Sequence, residues 1–149
     1  MQTVYVNNPE QLAQCLQLRS EVFVVEQKVP VELEIDELDS LDAPCRHVLL
    51  LDGGEPVAAA RMTEYDPDTA KMQRVAVKRE RRGSGCGRLV MEALEKLAAE
   101  QRYTYSLLDA QVQARPFYER LGYEAVSEEL FYDAGILHVR MRKQLPARP

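Results

Sequence analysis

The sequence predicts an α/β protein, an α+β domain with a mixed central β-sheet and helices on both faces. Strand and helix patterns follow in the order β-α-β-β-β-α-β-α-β-β. Strand–helix–strand units favour parallel pairing, whereas the hairpin turns between other strands favour antiparallel pairing. The 149 residues contain no repeat, linker or low-complexity segment, so a single domain over residues 1–149 is expected.

The first half is predicted to contain one long helix between strands. Asn8, Pro9 and Gln11 are typical of a helix start, as N-cap, first helical residue and partner in a capping box. The helix is expected to end near Gln27, before Pro30. Alternating and apolar patterns predict strands at 4–6, 47–51, 57–63 and 72–77, with a hairpin turn at 53–54.

The second half is predicted to contain two helices and three strands. An apolar stripe at helical spacing marks the first helix, and its members are Cys86, Leu89, Val90, Ala93, Leu94 and Leu97. A buried strand is predicted at 103–109, and a helix at 115–121 that Gly122 ends. Two final strands are predicted at 124–132 and 136–142.

Composition excludes several classes of protein and site. A net charge of −5 argues against a broadly basic nucleic-acid-binding surface. No apolar run is long enough to span a bilayer and the N-terminus lacks a signal-peptide pattern, so we expect no membrane partner and a cytoplasmic location. Three dispersed cysteines and two histidines predict neither a disulfide framework nor a metal site.

A glycine-rich loop between a predicted strand and a predicted helix is the sharpest motif. Val75-Ala76-Val77 precedes it, and the loop runs from Arg82 to Arg88. Free N–H groups and the helix dipole make such a helix start an anion site, and glycines let the backbone approach phosphates closely. Arg82 and Arg88 can add charge-assisted hydrogen bonds. The loop therefore predicts binding of a phosphorylated ligand.

Two common phosphate motifs do not fit this loop. A P-loop ends in Gly-Lys followed by Ser or Thr, but Gly87 is followed by Arg88. A dinucleotide fingerprint requires a third glycine at position 88 or 90, where Arg88 and Val90 stand.

The spacing Arg82-x-x-Gly85-x-Gly87 resembles the pyrophosphate-binding motif of the GNAT superfamily of N-acetyltransferases. The element order agrees over essentially the whole chain, as do the strands at 73–77 and 107–110 and the Phe-Tyr-x-x-x-Gly-Tyr segment at 117–123. Stretches at 22–27, 35–39 and 110–114, together with His47, resemble the ElaA/YjcF-like branch.

This resemblance implies an enzyme that moves an acetyl group from acetyl-CoA, as co-substrate, to a primary amine by direct attack in a ternary complex. It implies that the strand before the loop splays from its neighbour and pairs with the pantetheine arm. The residues implied to bind the cofactor are Val75, Ala76, Val77, Arg82, Gly83, Ser84, Gly85, Cys86, Gly87, Arg88, Asp109 and Phe117.

Three catalytic candidates follow from the resemblance. Tyr118 is expected to hydrogen-bond the departing thiolate, because a phenol is a weaker acid than a thiol and full proton transfer is uphill. Gln73 stands near the family's usual glutamate but cannot take a proton. Glu26 is therefore the first candidate base, with Glu34 and Asp36 as alternatives.

Several alternatives stay open at this level. The acidic segment 32–42 either attracts a cationic acceptor or is a solvated loop. His47 and Arg61 either line the cleft, or His47 is a hydrogen-bonded residue at a strand start and Arg61 a surface arginine. The acceptor is a small-molecule amine or a peptide amine. Homodimers through the C-terminal strands are a further expectation. A non-catalytic acyl-CoA sensor and a purely structural interaction domain are the rival functions.

Overall fold

The computed structural model describes residues 1–147 and contains seven strands and four α-helices in that range. The strands are β1 (Gln2–Tyr5), β2 (Cys45–Asp52), β3 (Glu55–Asp66), β4 (Thr69–Val77), β5 (Tyr105–Gln111), β6 (Glu124–Asp133) and β7 (Ile136–Gln144). The helices are α1 (Pro9–Arg19), α2 (Val31–Glu34), α3 (Cys86–Glu100) and α4 (Arg115–Arg120). A π-helical segment, Ser20–Glu26, continues α1.

All seven strands form one mixed sheet in the order β1-β2-β3-β4-β5-β7-β6. The β4–β5 pair is parallel and the other neighbours are antiparallel. The parallel pairing extends only from Thr69↔Tyr105 to Met72↔Leu108. Beyond Met72 and Leu108 the two strands part, so a gap opens in the middle of the sheet.

The helices cover both faces, which confirms the predicted fold class. The buried stripe of α3, including Cys86, Val90 and Leu94, packs in the main core on one face. On the other face, Cys15 and Leu18 of α1 pack against Leu49 and Ala59. The predicted start of α1 is also correct, since the Gln11 N–H donates to Asn8 Oδ1 at 2.8 Å. No helix among residues 1–147 has the length and apolarity that crossing a membrane requires.

A β-bulge at Arg74 bends β4 where it leaves β5. Ala59 pairs with Ala76 and Arg61 pairs with Gln73, so two residues of β4 oppose one residue of β3. Arg74 has a φ of +55°, in the left-handed region that is uncommon for residues other than glycine. Its Nε and Nη2 atoms donate to the carbonyls of Glu34 and Leu33 at 3.1 and 3.2 Å. The bulge is therefore tied to α2.

A buried network of arginines and carboxylates holds the segment 31–39 on the sheet. Arg19 binds Glu34 and Asp39 at 2.7 and 2.6 Å, and Arg61 binds Asp36 and Asp39 at 2.8 and 2.9 Å. Arg61 is 1% exposed, so the expectation of a surface arginine is wrong. Isolated charges would be costly to bury, and their pairing offsets that cost.

This network also changes the interpretation of the acidic segment. Part of the segment is the short helix α2, and three of its six carboxylates are bound by arginines. The expectation that Glu34 or Asp36 acts as base is not supported, because Glu34 is 2% exposed and Asp36 is ion-paired with Arg61. His47 has the structural role, since its Nε2 lies 3.3 Å from the Leu38 carbonyl oxygen.

Replacing Asp39 is expected to destabilise the fold strongly. Burial acts to raise the pKa of its carboxyl, but hydrogen bonds and charge from Arg19, the Asp36 N–H and the Arg61 charge lower that pKa to about 2. Asp39→Asn leaves two buried guanidinium groups under-compensated and should cost about 3 kcal/mol in urea unfolding at neutral pH. The exposed Asp42→Asn is the matched control on the same segment.

The pH dependence of that difference follows from the lowered pKa. The stabilisation from the Asp39 carboxylate is complete above its unfolded pKa of about 3.9 and is lost as the pH falls towards about 2. The stability difference between the parent and Asp39→Asn should therefore shrink below about pH 4. A difference that stays constant from neutral pH into that range would contradict the assignment.

Candidate active site

The loop between β4 and α3 presents a row of unpaired backbone donors. Among residues 1–147, no backbone hydrogen bond uses the N–H of Gly83, Gly85, Cys86, Gly87 or Arg88. Gly83 and Gly85 have φ of +81° and +88°, a conformation that L side chains rarely adopt. A Cβ added at either position would meet no protein atom within 4 Å, so the space in front of the loop is open.

The start of α3 has no side-chain cap. Gly85 occupies the N-cap position, and no side chain accepts from the first turn. The Ser84 hydroxyl donates instead to the Arg81 carbonyl. The fifteen-residue helix therefore leaves its N-terminal dipole and first-turn N–H groups for an external anion. These groups and the open space fit a diphosphate.

Gly87 is required for packing rather than for a special φ. A Cβ at this position would lie 3.0 Å from the Phe117 ring and 3.5 Å from Val77 Cγ2. The loop, β4 and α4 therefore approach one another closely at Gly87. Phe117 in turn contacts Tyr118 edge-to-face, with ring centroids 5.0 Å apart.

Two peptide groups of β4 face the gap between β4 and β5. The Lys78 N–H donates to the Val57 carbonyl on β3. Backbone groups alternate in direction along a strand, so Ala76 also points to β3 while Val75 and Val77 point into the gap. The Val77 carbonyl is consistent with pointing into the gap, because it accepts a hydrogen bond from Arg82 Nε at 3.2 Å and not from β3. A ligand chain in the gap can therefore pair with Val75 and Val77.

The two loop arginines are held differently. Arg82 Nη2 donates to Glu26 Oε1 at 2.8 Å, although the two residues are 56 positions apart. Arg88 is exposed and lies 3.5 Å from Glu92 on the same helix. The Glu26 contact places one candidate base at the entrance of the anion loop.

Comparisons with known proteins decide the family. A model of the acetyltransferase (GNAT) domain matches residues 9–145. The chain belongs to the GNAT acetyltransferase family. It is an acetyl-CoA-dependent N-acetyltransferase, which confirms the enzyme class that the resemblance implied.

Similar proteins support this GNAT assignment, and YjcF and ElaA among them support the ElaA/YjcF-like branch. YjcF of Bacillus subtilis, an uncharacterized N-acetyltransferase, is 43% identical over 96% of this chain and 99% of its own length. The crystal structure of Escherichia coli ElaA has a TM-score of 0.84 and 30% identity, covering 97% of this chain and 100% of ElaA. The crystal structure of an acyl-CoA N-acyltransferase from Pseudomonas aeruginosa has a TM-score of 0.82 and 30% identity, covering 96% of this chain and 99% of that protein.

Tyr118 of this GNAT acetyltransferase lies on α4 between two aromatic rings. It is 8% exposed and its ring contacts Phe117 and Tyr123 at centroid distances of 5.0 and 5.9 Å. Burial raises the pKa of the Tyr118 hydroxyl above its usual value. The hydroxyl makes no hydrogen bond with the described residues. Its oxygen is not completely buried, however, so a ligand atom can reach it. It is therefore a protonated donor without a partner among residues 1–147.

Gln73 and Asp109 stand where the gap begins, on opposite strands. Each directly follows the last paired residue of its strand. Gln73 accepts from Arg61 Nε at 3.2 Å. Asp109 binds Arg140 at 2.9 Å and Lys71 at 3.4 Å. Burial acts to raise the pKa of the Asp109 carboxyl, but hydrogen bonds and charge from Arg140 and Lys71 outweigh it and lower that pKa.

Sequence reasoning gave no role to a reciprocal amide pair beside the gap. Gln27 and Gln111 each donate to the other, at 3.2 and 2.8 Å. The pair ties the end of the π-helical segment to the end of β5. Both glutamines lay in stretches that resembled the branch, but residues 84 positions apart carry no local pattern that would pair them.

Gly85→Ala is expected to weaken acetyl-CoA binding without unfolding the protein. A Cβ at the φ of +88° costs about 1 kcal/mol and occupies the open space in front of the loop. The dissociation constant from calorimetric titration should rise at least about tenfold.

Gly135→Ala is the matched control. Gly135 has a φ of +76° and equally open surroundings in the β6–β7 turn, so its strain is similar. Equal acetyl-CoA affinity of Gly85→Ala and Gly135→Ala would show that the loop is not part of the acetyl-CoA site.

Proposed function

We propose that the enzyme transfers the acetyl group of acetyl-CoA to a primary amine on a small molecule or peptide, by direct attack in a ternary complex. One observation supports this most strongly. The gap between β4 and β5 opens beside an uncapped helix start whose N–H groups are unpaired. A single ligand with an anionic end and an amide-bearing arm fits both features.

The cofactor would be held from the loop to the start of the gap. The donors from Gly83 to Arg88 take the diphosphate, with Arg82 and Arg88 adding charge. The loop follows the C-terminal end of β4, so the arm runs back along Val77 and Val75 towards Gln73 and Asp109. Phe117 packs beside the loop, while Ala76 faces β3 and supports the strand.

The acyl carbonyl would then lie beside β4. Its oxygen gains negative charge during attack, and a backbone N–H facing the gap at Val75 or Val77 is positioned to stabilise it. Direct attack is favoured because Cys86, the cysteine nearest the loop, is 1% exposed and packed in the core. A buried thiol cannot reach the substrate to form an acyl-enzyme.

Glu26 is the proposed base. A protonated amine must lose its proton before it attacks, and a carboxylate can accept it directly or through water. Gln73 cannot accept it and serves as a hydrogen-bonding residue that Arg61 orients. A diphosphate at the loop competes with Glu26 for Arg82, so cofactor binding would release the Glu26 carboxylate for this role.

Tyr118→Phe tests the stabilisation of the leaving thiolate. The raised pKa keeps the hydroxyl protonated, so it donates a hydrogen bond rather than a full proton. Loss of a hydrogen bond to a charged group should lower kcat by about 10- to 100-fold with acetyl-CoA affinity unchanged. Tyr132→Phe, at a 75% exposed tyrosine, is the control. A kcat within about twofold of the parent would exclude this role.

Glu26→Gln should separate binding from catalysis. The ion pair with Arg82 is worth about 0.2–1 kcal/mol at this exposure, so CoA should bind up to about fivefold more tightly in calorimetry. At the same time kcat should fall at least about 100-fold if the carboxylate is the base. Glu21→Gln, on the same π-helical segment, is the control. Parallel losses in binding and rate would contradict the proposal.

The first experiment is titration of the protein with acetyl-CoA, with NAD and dephospho-CoA as controls, followed by thiol release with a panel of amines. Saturable acetyl-CoA binding without a response to NAD, and amine-dependent thiol release, are expected. Binding without release for any amine would favour the acyl-CoA sensor. No binding by the folded protein would overturn the proposed function.

A further inference from the structure

The face of the sheet that carries α1 has a polar region beyond the contacts of that helix. That helix packs against β2, β3 and β4. On the same face, the pairing registers and ion pairs bring together side chains of β3, β4, β5 and β7. These side chains are Tyr65, Lys71, Tyr105, Asp109, Arg140 and Arg142. We call this set the polar face.

The polar face borders the start of the gap between β4 and β5. Asp109 is the first residue of β5 beyond the last paired position, Leu108. The opposite face is filled at this level by the core, where Val77, Phe117 and Tyr118 pack together. An amine that attacks an acyl group in the gap therefore approaches across the polar face.

The charge of the polar face is positive, unlike that of the whole chain. Lys71 and Arg140 share the single carboxylate of Asp109, which leaves one positive charge. Arg142 adds another, since it has no carboxylate within ion-pair distance among residues 1–147; Glu124 lies opposite in the β6–β7 register without such a pair. The chain as a whole carries −5.

Arg142 is exposed and held in a defined position. Its Cζ lies 4.5 Å from the centroid of the Tyr105 ring. Stacking on an aromatic ring fixes the guanidinium plane but leaves the N–H donors at its edge free. Those donors match the two oxygens of a carboxylate.

The arginine-bound carboxylates of the neighbouring acidic segment do not compensate this charge. Glu34, Asp36 and Asp39 are bound by three arginines, namely Arg19, Arg61 and Arg74. That network is neutral in total. A cationic group on the acceptor therefore finds no free carboxylate within that network; the three exposed carboxylates of the segment, Glu32, Glu37 and Asp42, lie outside it.

We propose that the acceptor is an amine that also carries a carboxylate, and that Arg142 binds this carboxylate. This rests on the proposed acetyl transfer at the gap. Arg142 pairs with Leu107, two residues before Asp109 on β5, and β7 lies one strand further from the gap, so the acceptor spans at least about 7 Å between its two groups. Lys71 and Arg140 add electrostatic attraction for the acceptor's carboxylate between the gap and Arg142. Arg142 is therefore a specificity-determining residue.

The test compares three matched series of amines with the full-length enzyme and saturating acetyl-CoA. They are straight-chain ω-amino acids, their carboxamides, and the diamines of the same chain length, with thiol release as readout. We expect kcat/KM for the best ω-amino acid to exceed that of its carboxamide by at least about tenfold, because a charge-assisted hydrogen bond is lost. The diamines should be poorer still.

Arg142→Gln should remove most of this preference. The ratio of kcat/KM between the ω-amino acid and its carboxamide should fall to within about threefold, mainly through KM for the amino acid. The KM for acetyl-CoA should not change. Arg142→Lys should retain part of the preference, because it keeps the charge but not the fork.

Arg46→Gln is the matched control, since Arg46 is an exposed strand arginine on β2, which β3 and β4 separate from the gap. Equal rates for charged and neutral amines, or an unchanged ratio in a folded Arg142→Gln, would overturn the carboxylate proposal while leaving acetyl transfer intact. Thiol release with none of the three series, despite acetyl-CoA binding, would overturn it together with the proposed activity.

Discussion

The bulge at Arg74 is the constraint on which the site depends. An extra residue bends β4, and that bend accompanies the loss of pairing with β5 after Met72. Peptide groups in the middle of a sheet normally bond to a neighbouring strand, because burying them unpaired is costly. Here Val75 and Val77 face a gap, and a ligand can take the place of the missing strand partner. The contacts of Arg74 with α2 carbonyls hold the strained residue in place.

The arginine network has a second effect, on the distribution of charge. It neutralises three carboxylates of a segment that looks strongly acidic in the sequence. The cations of the polar face are left partly uncompensated a few strands away, in a chain of net charge −5. Total charge therefore says little about the ligand of this protein, because burial and pairing decide which charges a ligand meets.

The parts that were predictable from the sequence are local ones. The glycine loop, the start of α1 and the α3 stripe each depend on residues within a few positions, where glycine conformation, capping and helical spacing apply. The bulge at Arg74 has no such pattern, since no glycine marks it. The partners of Arg61 and Arg82 were also missed, because Asp36 and Glu26 are 25 and 56 positions away. These contacts depend on how the segments fold back on the sheet.

The burial of Cys86 matters for an enzyme whose reaction liberates a thiol. Released coenzyme has a free sulfhydryl, and a reactive cysteine near its site would be prone to mixed-disulfide formation when the surroundings become oxidising. Cys86 is 1% exposed at the start of α3, and Cys15 and Cys45 are buried too, with pKa values that burial raises to about 12 and about 11. Thiolates form rarely at these two and are hard to reach at all three. The protein is thereby insulated from covalent capture by its own by-product.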